Sequence, residues 1–502
     1  MNILANKRLY VVGIISLGLG ILFDYLFYDK FFGISYLIYT VSLLVGLFAL
    51  LTVFKVPYNK KAVVWFLPGV LFFALMVGVR ANFFIHFWNM VLTIAFLLLS
   101  AHQLSGRNIR KNLFLDYLKT AVVLPLSMLG RSFNALGRML SVGKGERSGK
   151  NAQIIKGILI TVPIVLFFLF LLSSADLVFK ELINNLFSFN FNISEDVLAQ
   201  IWWAAVFTLV WLGAYTYILE KSSVSETSSA APVARNFKFG NIEAGILFTT
   251  LNVLFLTFVA IQIRYLFAGH NAITQFGFTY AEYAHKGFGE LVAVALLSFG
   301  LVFLAERYVE RSDSKPSLLF KTLTGVLMAL VLVIMVSAFM RLAIYEQAYG
   351  FTLARILVQA FIVWLAAVFL WLGYKIIKGL EDRPFVFGLF LSVISFFVFI
   401  NLFNPDAFVA RKNISQSLET GELDTKYLSS LSADAIPELM PLLEMPGVKD
   451  KYGNELSKEV AIALKGYYDS AVNEPWQSYS VSRNRAVGLI SNKLNLISTL
   501  TK

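Results

Sequence analysis

Eleven apolar runs, each close to the length of a bilayer crossing, fill residues 9–403. A hydrocarbon core about 30 Å thick takes about 20 apolar residues per helical crossing. Inside it every backbone polar group must be bonded within its own element. The chain is thereby restricted to an all-α fold: a polytopic helical membrane protein of about 11 transmembrane helices, with a small helical C-terminal domain. The predicted crossings are 9–28, 33–54, 62–79, 82–100, 153–172, 200–219, 242–266, 287–305, 318–340, 353–373 and 384–403.

The residue inventory narrows the chemistry. The absence of cysteine excludes disulfides, thiolate metal ligands and Cys nucleophiles. The net charge of +12 sits mainly in loops between apolar runs. The positive-inside rule and anionic lipid account for it there, so no nucleic-acid partner is expected. Lys7 and Arg8 precede the first run, which is long, contains Asp24 and lacks a small-residue cleavage pattern. It reads as a retained signal-anchor helix.

Lysine and arginine set the orientation. Segments that are inside when the N-terminus is inside, such as 55–61, 107–150, 307–321 and 375–383, carry more than three times the Lys and Arg of the opposite loops. This predicts a cytoplasmic N-terminus and, with an odd number of crossings, an extracytoplasmic C-terminus. The expected organisation is 1–100, transmembrane helices 1–4; 101–152, an interfacial amphipathic segment; 153–221, helices 5–6; 222–241, a Ser/Ala-rich flexible cytoplasmic linker; 242–403, helices 7–11; and 404–502, an extracytoplasmic helical tail.

Residues 113–129 are apolar but interrupted by Asp116, Lys119 and Pro125. A span there would flip every later loop against the charge rule. The stretch reads as an amphipathic helix on the inner leaflet, with Arg131 and Arg138, seven apart, turned toward anionic lipid headgroups; a plain linker helix is the alternative. In the tail, short helices are expected at 424–431 and 433–445, the second interrupted by Pro437 and Pro441. Longer ones are expected at 455–471 (stripe Leu456, Val460, Leu464, Tyr467) and 482–500 (stripe Val487, Ile490, Leu494, Ile497), with Trp476 plugging their interface.

Polar residues concentrate near the predicted outer ends, where charge in a membrane marks function or pairing. Glu290, Glu282 and Asp176 are the candidate general bases. Arg341, Arg355 and Arg411 suit a phosphate. Tyr345 and Tyr349 share a helix face with Arg341, and Asp406, His285 and Gln262 complete the candidate ligand set. Arg341 with Glu290 is the expected ion pair. Snorkelling, structural pairing and helix-end capping explain the same residues more simply than a ligand or catalytic site. His86, His270 and His285 lack metal-ligand spacing, and no Walker loop or GxSxG occurs, so no metal or cofactor is predicted. Apart from Asn252, the inner halves read as apolar.

Four stretches carry a family resemblance: Ser173-Ser174-Ala175-Asp176, Tyr280–Glu290, Arg341–Tyr349 and Asn404-Pro405-Asp406-Ala407, followed by Ser432–Pro437. Together they resemble an uncharacterised bacterial multi-pass family, domain of unknown function 4173, and its related 4153 group. Leu177 and Lys286 stand where proline and arginine are usual. The resemblance implies a bacterial envelope protein and no particular activity. Three functions follow in order: a non-enzymatic sensor, scaffold or partner-binding subunit acting through its tail on an envelope protein; an enzyme on a lipid-linked, phosphate-bearing substrate at the outer leaflet; and a transporter. Whether the chain is an enzyme stays open at this level.

Overall fold

The structure is a computed structural model that describes residues 2–58, 60–104, 114–140, 195–222, 241–267, 288–308, 318–420, 423–445 and 447–502. Its helices are α1 Asn2–Phe27, α2 Ile34–Val53, α3 Lys60–Val79, α4 Phe83–Leu104, α5 Phe114–Leu140, α6 Glu195–Ser222, α7 Asn241–Phe267, α8 Phe288–Tyr308, α9 Leu318–Tyr349, α10 Leu353–Lys378 and α11 Asp382–Phe403. The tail follows as α12 Pro405–Thr420, α13 Thr425–Ser429, α14 Ile436–Leu439, α15 Leu456–Ala471, α16 Val481–Ser491 and α17 Leu494–Leu500. Among the described residues nine helices are long and apolar enough to cross a membrane, and Val63–Val79 is a shorter apolar one. These ten coincide with ten predicted crossings; the eleventh, 153–172, and most of the 222–241 linker lie outside the described residues. Two compact units emerge. One holds α1–α6 and residues 473–484; the other holds α7–α15 and residues 485–502.

In the first unit, glycines set how closely helices approach. A Cβ on Gly20 of α1 would lie 2.3 Å from the Ala204 carbonyl of α6, and one turn on Phe23 stacks on Phe207 at 3.4 Å. Helix α5 seats on α6 at Gly213, where a Cβ would fall 2.1 Å from the Met128 carbonyl. There the Ser132 hydroxyl donates to the Leu209 carbonyl at 2.6 Å. Small residues of this kind let helices associate in lipid, where burial of apolar surface contributes little. Two aromatic polar groups bond across the bundle: the Trp211 indole N–H donates to the Tyr39 hydroxyl (2.6 Å) and the Tyr215 hydroxyl to the Leu43 carbonyl (2.7 Å).

Residues 473–484 pack against the loops and helix ends of this unit. The Ile34 amide donates to the Tyr479 carbonyl at 2.8 Å, the Phe31 amide to Ser478 Oγ at 3.0 Å, and the Ser482 hydroxyl to the Val79 carbonyl at 2.8 Å. Gly33 fits beneath them: its Cβ position is 2.4 Å from the Tyr479 carbonyl oxygen. Trp476 therefore does not plug an interface between tail helices. It is 51% exposed, with its ring 6.5 Å from that of Tyr25 in the last turns of α1.

In the second unit, α10 ends on Gly379 (φ +65), whose left-handed conformation lets the Gly379 and Leu380 amides bond the Ile376 and Lys375 carbonyls. Asn404 (φ +54) turns the chain out of α11, and Pro405 starts α12 at once. Pro437 and Pro441 begin short helical turns and do not break a longer one. The predicted stripes are largely right: Leu456, Val460 and Leu464 are buried, as are Ile490 and Ile497. The expected 482–500 helix, however, is divided between α16 and α17.

The tail is pinned by carboxylates. Asp424 caps α13 by accepting from the Tyr427 amide (2.9 Å) and pairs with Lys451. Buried Asp450 accepts from the Thr425 hydroxyl (2.7 Å) and from the Tyr452 and Asn454 amides (2.9 and 2.8 Å). Burial opposes both charges, yet these donors outweigh it and hold both carboxyls below the ordinary carboxylate range. Depressed folded values stabilise the tail above the unfolded pKa of about 4, and that stability is lost as pH falls through the folded values. The tail is thus expected to loosen below about pH 4, seen as accelerated amide exchange at Tyr452 and Asn454. Asp450→Asn should flatten this acid dependence.

Candidate functional site

The turn from α9 to α10 gathers several of the predicted site residues. Tyr345 and Tyr349 lie one turn apart with rings 4.7 Å from each other. Arg355, on the first turn of α10, folds back so that its guanidinium lies 4.1 Å from the centre of the Tyr345 ring and donates to the Gly350 carbonyl at 2.6 Å. Glu346 is 3% exposed; its Oε2 accepts from the Gln359 amide at 2.7 Å. Gly350 (φ +77) makes the turn.

The tail grips this turn. Asn413 of α12 forms a two-way bridge to Phe351, its Oδ1 accepting from the amide (2.6 Å) and its Nδ2 donating to the carbonyl (2.7 Å). The Leu353 amide donates to the Tyr427 hydroxyl at 2.8 Å. Burial pushes the Tyr427 phenol up, and the nearby Asp406 charge adds to this. Asp406, itself 1% exposed, accepts from the Ser432 hydroxyl at 2.9 Å. Tyr345, Tyr349, Arg355 and Asp406 thus share one region.

Other predicted residues go elsewhere. Arg411 points away and holds Glu438 through two bonds, the shorter 2.6 Å. Glu290 sits exposed in the first turn of α8, and Arg341 is half-buried on α9. No ion pair joins these two, so the expected Arg341–Glu290 bridge is corrected: the carboxylate faces outward at a helix N-terminus, where the macrodipole favours it unaided. Asp176, Glu282 and His285 lie outside the described residues, and so does the side chain of Gln262.

A second cluster, at the end carrying the 379–381 turn, was missed. Lys375 of α10, 1% exposed, sits between Glu306 of α8 at 2.5 Å and Asp382 of α11 at 2.7 Å. The sequence reading counted Lys375 among loop cations and the inner halves as apolar. The available signal was an acid, Glu306, ending an apolar run beside arginine. Between the two ends, α8, α10 and α11 meet through aromatic rings, Phe299 on Phe369 and Phe303 on Phe385. In the first unit, Tyr28, Asp29, Lys30, Asp196, Gln200 and Pro475 line an open polar cleft of about 670 Å³, across which the Tyr28 hydroxyl donates to Asp196 at 3.0 Å. Among the described residues no cluster of three His, Asp or Glu side chains could hold a metal.

A family model, described as a domain of unknown function (DUF4153), matches residues 62–442. The chain belongs to this family. The resemblance drawn from sequence named the 4173 group first; the match is to its relative, DUF4153. No curated protein and no solved structure matches the chain. The DUF4153 match runs from α3 through the tail's short helices, and so takes in the α9–α10 turn, Asn413 and Asp406 as well as the Lys375 cluster.

Proposed function

We propose that this DUF4153 protein is a non-enzymatic subunit of the bacterial cell envelope, its N-terminus cytoplasmic and its tail outside, where the tail senses or binds another envelope protein. One observation carries the reading: each candidate reactive group at the α9–α10 turn is engaged by a neighbour. Arg355 is held by Gly350 and Tyr345, Glu346 by Gln359, and Asp406 by Ser432. A phosphate-binding arginine or a general base needs a free face toward its substrate. These side chains instead brace the α9–α10 turn and the tail from within, and Asn413 and Tyr427 tie the two together. The tail presents Tyr452, 48% exposed between the ammonium groups of Lys426 and Lys451; Lys451 is already paired with Asp424, so Lys426 beside the ring is the cation offered to an acidic partner. The anionic inner leaflet is the second proposed partner, through Arg131 and Arg138.

Alkaline phosphatase fused after Lys502 is expected to be active in cells, and a fluorescent protein at the same site dark. The reverse pair of results would overturn the orientation. Under the same reading Glu290→Gln complements a deletion at normal membrane abundance.

The cleft around Asp29 and Asp196 favours a second reading, an enzyme acting on a lipid-linked substrate at the outer leaflet. Loss of complementation by Asp196→Asn at unchanged abundance would support it over the first.

A further inference from the structure

Residues 475–482 are bonded to the ends of three crossings. The Ile34 amide, the first of α2, donates to the Tyr479 carbonyl. The Val79 carbonyl, the last of α3, accepts from the Ser482 hydroxyl, and the Phe31 amide, in the loop after α1, donates to Ser478. Helix ends leave such backbone groups without partners of their own. A crossing ends where hydrocarbon gives way to headgroups, so a segment that caps two crossings at their backbone lies at that depth. The first unit alone fixes this placement.

The side chains on the segment suit the same depth. Trp476 is half exposed, Tyr479 is 43% exposed and Val481 47%. Beside them stand two exposed rings from the crossings' own ends, Phe31 and Phe83, the latter 85% exposed at the first position of α4. Among the described residues neither the Trp476 indole N–H nor the Tyr479 hydroxyl has a hydrogen-bond partner. A large apolar ring with an unused polar edge is favoured at the membrane–water boundary, where headgroups and water bond the edge and lipid covers the ring. No charged residue occurs from Pro475 to Ser482, and the flanking charges, Glu474 and Arg483, neutralise each other at 2.9 Å. Nothing in the segment demands full hydration.

We propose that residues 475–482 are a lipid-binding belt at the membrane interface, with Trp476 and Tyr479 seated among the phospholipid headgroups. The tail then returns to the bilayer surface after α15 and takes part of its anchorage from lipid. This holds whichever leaflet faces the cytoplasm and whatever partner the tail binds.

The chain has no cysteine, so Trp476→Cys and Tyr479→Cys can each carry a single thiol-linked fluorophore. The full chain is placed in phosphatidylcholine nanodiscs, open on both faces, whose lipids bear a nitroxide quencher either on the headgroup or at the end of the acyl chain. The two quenchers lie about 15 Å apart, half the hydrocarbon thickness. Labels at 476 and 479 should be quenched at least about twofold more by the headgroup nitroxide than by the deep one. Ile14→Cys, 70% exposed in the middle of the α1 crossing, should show the reverse order. One correctly assembled variant of the belt pair suffices for the test. Quenching by aqueous iodide with none from either lipid would place the segment in water and overturn the proposal. Equal or stronger quenching by the deep nitroxide would overturn it as well.

Discussion

Lys375→Met is expected to lower the stability of the protein by about 3–5 kcal/mol, because removing one member of a buried ion cluster leaves the others uncompensated. Lys375 and Glu306 are 1% and 2% exposed and the ammonium also bonds Asp382. Without it, two carboxylates from different helices face each other in a site poor in water. The readouts are membrane abundance and the thermal aggregation temperature of detergent-solubilised protein. The triple variant Glu306→Leu, Lys375→Met, Asp382→Leu should recover most of the loss, since apolar replacement of a whole buried ion cluster is often neutral or stabilising. If Lys375→Met alone matched the wild type, the cluster would not be what joins α8, α10 and α11.

Gly33→Ala is expected to detach residues 473–484 from the first unit. The new Cβ would lie 2.4 Å from the Tyr479 carbonyl oxygen and 2.6 Å from the Ser478 carbonyl carbon. Both are backbone atoms, which cannot swing aside as a side chain can. Overpacking costs about 1–3 kcal/mol, and the two hydrogen bonds donated by the Phe31 and Ile34 amides, which are lost with it, add about 0.5–1.5 kcal/mol each. Limited proteolysis should show new cleavage within 473–484, and amide exchange at Ile34 should accelerate. Gly18→Ala, where a Cβ meets nothing within 4 Å, is the silent control. Resistance of Gly33→Ala to protease would mean the segment is held by other contacts.

The crossings were legible because a single physical requirement, apolar length, acts on each run independently. The same holds for the stripe of Leu456, Val460 and Leu464, where period alone selects the buried face. The turn cluster was half legible. Tyr345 and Tyr349 meet because helical spacing places them on one face, and Arg355 is five residues from the Gly350 carbonyl it binds. What periodicity does not encode is which distant segment supplies the partner. Asn413 reaches Phe351 across 62 residues and Glu306 reaches Lys375 across 69. The pairing of Arg341 with Glu290 failed for this reason: matching charges and similar predicted depth say nothing about which faces of two helices meet. Trp476 was misassigned because its neighbours in sequence are tail helices, whereas its backbone belongs with α1–α3.

The bond from the Phe31 amide to Ser478 spans 447 residues, and that separation has a consequence for biogenesis. At roughly 5–20 residues per second of synthesis, the first helices wait on the order of 20–90 s for the segment that seals their ends. Through that interval the loop after α1 stands exposed at the surface of the bilayer. Assembly of the earliest helices therefore waits on residues made some 447 positions later, and a nascent chain cut short before Ser478 would leave them open to quality-control proteases.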